Sequence, residues 1–210
     1  MSRGRVLVTG FEPFGGDDRN PTEEIARILD GETVGGAEIR GITVPVSVRR
    51  AWGVVEEALR EWRPDVAISL GLAPFHSNIA IERVAINLLD ARIPDNDGYR
   101  PVDEPIVEGA PAAYFSTLPT REMVEELRRR GIPAVLSYSA GTYLCNYVMF
   151  RLLHFAAVNG YPERAGFIHV PYTPDQVTGK FFLPGRAAPS MCLDTEVEAV
   201  RIAIEVSLKG

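Results

Sequence analysis

The stretch AVLSYSAGTYLCNYVMFRLLHFAAVNG, Ala134 to Gly160, places a short apolar run, a turn of small residues and a long apolar segment in succession. It predicts a strand over Ala134 to Tyr138, a turn at Ala140-Gly141-Thr142, and a helix from Tyr143 to Asn159 that Gly160 ends. A second strand, Gly166 to Val170, follows at once. The same alternation extends toward both termini. Val6 to Thr9, Ile39 to Val44 and Val66 to Leu70 are further β-branched runs. Asn20, Pro21 and Glu23 supply a cap, a first-turn proline and a capping-box acid for a helix toward Leu29. Trp52, Val55, Leu59 and Trp62 recur at helical spacing before Pro64. Met123, Val124 and Leu127 form another stripe, with Thr120 as cap and Gly131 as stop, and Asp194 is expected to cap a last helix to Leu208. Strand-helix alternation of this kind predicts a single α/β domain spanning residues 1–210, a mostly parallel twisted sheet with helices on both faces in three layers.

The 210 residues suffice for one substantial core, and a chain 46% hydrophobic and 24% charged has the make-up of a globular protein. A net charge of −6, with basic residues dispersed apart from Arg128 to Arg130 at a helix end, argues against nucleic acid as a partner. The N-terminus MSRGRVLVTG passes straight into a strand without the apolar stretch of a secretory signal, and no run is long enough to span a membrane. A cytoplasmic location, with Cys145 and Cys192 as reduced thiols, is therefore expected. Residues 91–119 break the alternation with seven prolines or glycines among several acids, an excursion that suits a lid, a subunit contact or an ordered surface loop.

Three positions carry chemistry. Cys145 falls in the first turn of the apolar helix, where the positive end of the helix dipole favours a thiolate; a buried, inert cysteine is the ordinary alternative. Cys192, between Met191 and Leu193, has no helix start or basic group to activate it and reads as structural. His169 closes a strand, at the sheet edge where α/β proteins build their sites, although a core histidine would fit as well; His76 and His154 lack that placement. In Ile79 to Leu88, Glu82 shares a strand face with Ala80, Val84, Ile86 and Leu88. A carboxylate in that apolar phase needs a partner, either a histidine N–H or an arginine such as Arg83 or Arg92. A cysteine and a histidine oriented by a carboxylate form the working group of a thiol acyl-transfer enzyme.

After the first strand, TGFEPFGG lacks both the G-x-G-x-x-G spacing and the lysine of a phosphate loop. It presents Phe11 and Phe14 on a glycine-rich backbone, as a ligand wall or as core packing.

In order along the chain, VLVTGFEPFGG with Asn20-Pro21, ERVAIN (82–87), ARIPDNDG (91–98), EGAPAAYFSTLP, SYSAGTYLCN ending at Asn146, and FIHVPY (167–172) resemble the pyroglutamyl-peptidase family over nearly the whole length. The resemblance implies removal of an N-terminal pyroglutamyl residue from peptides, without metal or cofactor, by an enzyme assembled as a homotetramer or homodimer. It assigns the catalytic roles to Glu82, Cys145 and His169. It puts Phe11, Phe14, Leu72, Arg92 and Tyr143 on the substrate. Some family members carry glutamine at the place of Leu72, and many carry Gly-Arg at Phe75-His76. Leu72 cannot hydrogen-bond through its side chain, and Phe75 adds bulk where glycine would admit a substrate closely. The alternatives are another hydrolase or a phosphorylase on a similar scaffold, or a binder of pyroglutamyl peptides without activity. The intact trio favours the enzyme, and the absence of a phosphate loop disfavours the phosphorylase.

Overall fold

The computed structural model describes residues 4–209, so residues 1–3 and 210, the ends of the expected 1–210 domain, lie outside it. Seven strands form one sheet in the order β2-β3-β1-β4-β9-β5-β8. The central four, β1 (Arg5–Phe11), β3 (Ala37–Val44), β4 (Val66–Leu72) and β9 (Arg164–Val170), run parallel. β4 is buried at every position, as expected of a strand covered on both faces. Helices α1 (Pro21–Leu29), α3 (Thr120–Arg129) and α5 (Leu193–Ser207) pack together on one face, and α2 (Val48–Trp62) and α4 (Leu144–Asn159) cover the other. The α/β architecture with a mostly parallel sheet is thus as expected. No helix among the described residues is long and apolar enough to cross a membrane.

The helix starts follow their caps with two corrections. Asn20 caps α1, its side chain accepting from the Thr22 N–H, and Ser47 caps α2 through the Arg50 N–H. Thr120 is not a cap but the first residue of α3, behind Pro119, which has no side-chain acceptor to offer. Asp194 likewise sits inside the first turn of α5, where its charge still meets the helix dipole, and the capping position belongs to Cys192. Cys192 therefore stands at a helix start after all.

Directionality is the larger departure. β5 (Ile79–Glu82) and β8 (Ala134–Ser137) pair parallel with each other, but β5 is antiparallel to β9, so both run against the central four strands. The carboxyl end of β8 therefore points away from that of β9. The expectation that Cys145 and His169 both follow strand ends at one sheet edge holds for His169 alone. The strand expected from Ile79 to Leu88 also breaks at Arg83. The Arg83 N–H donates to Ser137 O, while its carbonyl accepts from Ser116 N, and the chain leaves the sheet. Val84 to Ile86 (β6) then pairs with Ala113 to Phe115 (β7) from the far end of the excursion. The rest of the excursion lies against the body of the protein, bridged at Leu89 and Glu104. The short strands β2 (Thr33–Val34), β10 (Phe181–Leu183) and β11 (Arg186–Ala187) were not anticipated.

Candidate active site

Glu82 and His169 come together through the antiparallel register of β5 and β9. Ala80 lies opposite His169 and Glu82 opposite Phe167, so Glu82 and His169 are diagonal neighbours on one face. The Glu82 Oε1 to His169 Nδ1 distance is 2.8 Å, with both side chains buried. The arginine alternatives fail. Arg83 donates to Ser116 O and lies over the Phe115 ring, and Arg92 is exposed. The second Glu82 oxygen is buried with no partner among the described residues, so the carboxylate is committed to the histidine.

Cys145 is the second residue of α4, and the neighbouring side chains fix that turn. Buried Asn146 accepts from Ile86 N and donates to the carbonyls of Ile86 and Leu88, while Thr142 Oγ1 donates to Asp90 O. The chain leaving β6 therefore clamps the start of α4 on both sides of the thiol. Burial of the His169 ring disfavours its charge. The Cys145 sulfur beside it and the hydrogen bond to Glu82 outweigh that cost and push the His169 pKa up to about 10. An imidazolium is thereby held between a carboxylate and a sulfur. Cys192 has a helix start but no such neighbour among the described residues; it is exposed and unpaired, as Cys145 is also free of any disulfide.

A cavity of about 40 Å³ opens beside the sulfur. Phe11, Phe14, Leu72, Tyr143 and Cys145 line it, as do Asn20, Val46 and Leu144. It is narrow, well below the size of drug-sized ligand sites, and almost wholly apolar. Phe11 and Phe14 belong to a wall and not only to the core. Tyr143 is one of the lining residues; its hydroxyl is buried without a partner among the described residues, and burial first, then the charges of Asp95 and Cys145, push its pKa up to about 12. It remains a neutral donor at any working pH.

One expected contributor, Arg92, and the residue expected to crowd the pocket, Phe75, both lie elsewhere. Arg92 is not part of the lining, and Phe75 is half-exposed and edge-on to Tyr172, with ring centroids 6.3 Å apart. Phe75 adopts φ 67°, a conformation that favours glycine, and its bulk stays out of the pocket lining. Val46 was missed, although it lies two residues past the end of a parallel strand and strand-end placement could have flagged it. Asn20 was read only as a cap. His154 is structural: its Nδ1 pairs with Tyr114 Oη at 2.9 Å and its ring stacks on Phe150.

Known proteins share much of the sequence and the fold. The family model described as pyroglutamyl peptidase matches residues 4–210. A pyrrolidone-carboxylate peptidase of Thermococcus litoralis is 59% identical over 204 residues, covering 97% of this chain and 93% of that protein. One from Pyrococcus furiosus is 56% identical over 205 residues, covering 98% of each. The solved structure of the Thermococcus litoralis pyrrolidone carboxyl peptidase superposes with a TM-score of 0.97, covering 98% of this chain and 93% of that one. A match of that extent leaves one conclusion: the chain belongs to the pyroglutamyl peptidase family.

Proposed function

We propose that this protein is a cysteine peptidase that removes the N-terminal pyroglutamyl residue from peptides. The observation that carries this is the line of Glu82, His169 and Cys145 against a small apolar pocket. A pyroglutamyl lactam is neutral, so it offers no ammonium for an acid to hold. Aromatic faces and one or two hydrogen bonds suit it, and Phe11, Phe14, Leu72 and Val46 supply the apolar walls. Tyr143 Oη is the uncommitted side-chain donor available to the lactam carbonyl. Leu72, which replaces a possible side-chain partner, leaves further polar contacts to backbone groups.

In the reaction, the Cys145 sulfur attacks the pyroglutamyl carbonyl carbon and a tetrahedral adduct forms. His169 gives its proton to the departing peptide amine as the C–N bond breaks, leaving a pyroglutamyl thioester. Water then loses a proton to His169 and attacks the thioester, releasing pyroglutamate and restoring the sulfur-imidazolium pair. Glu82 holds Nδ1–H throughout, which presents Nε2 to the reacting atoms and stabilises the imidazolium.

Assembly as a homodimer or homotetramer and a cytoplasmic location belong to the same proposal. Exposed Phe181 and Leu183 are apolar side chains that a subunit contact would cover, and a reducing compartment would preserve the free thiols. The test of the activity is release of a chromogenic amine from a pyroglutamyl amide. Turnover should disappear on alkylation with iodoacetamide and in Cys145→Ala, and should persist in Cys192→Ser. Turnover by purified Cys145→Ala near that of the unmodified protein would overturn the mechanism.

A further inference from the structure

Between the two pocket phenylalanines, Glu12 makes four hydrogen bonds to separate parts of the chain. Its N–H donates to Val44 O at 3.0 Å, and its carbonyl accepts from Asn20 Nδ2 at 3.1 Å. Its carboxylate Oε1 accepts from Val46 N at 2.9 Å and from Asn96 Nδ2 at 3.0 Å. Asn96 completes the ring: its N–H donates to Val46 O and its Nδ2 also reaches Pro13 O. Val46 is thus gripped through both backbone groups, one by Glu12 and one by Asn96. Of the residues that line the pocket, Phe11 is adjacent to Glu12, Asn20 and Val46 are hydrogen-bonded to it, and Phe14 follows two residues on, past Pro13, whose carbonyl Asn96 holds. No cation lies within ion-pair distance of Glu12 among the described residues. Its oxygen works as an acceptor, not as half of a salt bridge.

We propose that Glu12 is a positioning residue for the acyl pocket, a clasp that joins the loop after β1, the loop after β3 and residues 95–97 of the long excursion into one wall. The excursion itself is anchored by the same contacts and their neighbours. Asp95 accepts from Val48 N, and Asp97 accepts from Ser47 Oγ and pairs with Arg50. The segment that breaks the strand-helix alternation therefore acts as an outer brace of the pocket. The clasp touches neither Cys145 nor His169. Loosening it should weaken substrate placement and leave the thiol's own reactivity intact.

This inference rests on the pocket being the pyroglutamyl site. The experiment compares Glu12→Ala, Glu12→Gln and Asn96→Ala, measuring kcat and KM on a pyroglutamyl amide, the rate of Cys145 alkylation by iodoacetamide, and Tm. Glu12→Ala should raise KM about ten-fold or more with an unchanged alkylation rate. Glu12→Gln, which keeps an acceptor oxygen, should recover most of that loss. Asn96→Ala, at an exposed position, should raise KM by a smaller factor. Its effect should be less than additive with Glu12→Ala, because both cut one network. If Glu12→Ala fails to fold, Asn96→Ala decides: an unchanged KM overturns the inference. So does an alkylation rate that falls in step with kcat/KM, which would mean a general collapse of the site. An unmodified protein inactive on pyroglutamyl amides would instead overturn the assignment of the pocket.

Discussion

Gly71 and Cys145 compete for one space: a Cβ added to Gly71 would lie 2.9 Å from the Cys145 sulfur and 2.7 Å from the Phe167 ring. Gly71 is level with His169 in the β4–β9 register, so the missing side chain is what lets the thiol approach the imidazole. Real Cβ atoms do not tolerate such contacts, and a packed aromatic ring on one side leaves the sulfur as the group that moves. Gly71→Ala should fold, lose about 1–3 kcal/mol to overpacking, and lose about a hundred-fold in kcat/KM. Kinetics and Tm on one preparation check this; full activity would show that the sulfur has room to spare.

The raised pKa of His169 places its titration on the alkaline side of the activity profile. Glu82→Gln is nearly isosteric but neutral, so the pKa should fall from about 10 and the alkaline limb of kcat/KM should move to lower pH. The stability sign agrees. A histidine raised from 6.5 contributes stability that is complete below about pH 6.5 and is lost as pH climbs through about 10, and the variant should lose part of that window. Activity should drop about a hundred-fold, less than in Cys145→Ala, because Glu82 orients the base and breaks no bonds. A large fall in Tm with an unshifted profile would remove Glu82 from the catalytic group.

Tyr143→Phe tests the lone hydroxyl. An unpartnered buried donor costs stability in the free protein and is recovered only when a ligand accepts its bond, so the variant should keep or gain Tm while losing about ten-fold in kcat/KM on pyroglutamyl amides. Prolyl amides, which lack the lactam carbonyl, should lose nothing further, and selectivity between the two should narrow. An unaltered ratio would take the hydroxyl out of recognition.

Far from the site, Glu196 is buried with neither carboxyl oxygen paired among the described residues. Burial, aided by the charge of Glu24, pushes its pKa from 4.5 up to about 9, so the folded protein holds a proton that the unfolded chain releases. That contribution is complete below about pH 4.5 and declines as pH rises toward 9. Glu196→Gln keeps the neutral shape, so Tm at pH 8 should rise by about 3 °C or more while Tm near pH 4.5 changes little. Parallel thermal melts of both proteins measure it, and an equal shift at both pH values would contradict it.

The sequence by itself determined the local elements and the chemistry they carry. Asn20-Pro21, the stripe Trp52 to Trp62 and the apolar run ended by Gly160 are short-range patterns, and each became a helix, although the one around the stripe starts four residues earlier, at Val48. Glu82 betrayed itself as a charge in an apolar strand phase, and Cys145 as a thiol at a helix start. That last signal was not sufficient. Cys192 proved to stand at a helix start too, and only the imidazole beside Cys145 separates them. Tertiary structure decided what depends on long-range register: the reversal of β5 and β8, the exit at Arg83, and the exposure of Arg92. It also decided the wall of Phe11, Phe14 and Val46 around Glu12. Periodicity specifies which face of a strand a side chain occupies, but not which way the strand runs or what lies across from it. Those follow from packing the whole sheet, where a single missing Cβ at Gly71 sets the distance between a nucleophile and its base.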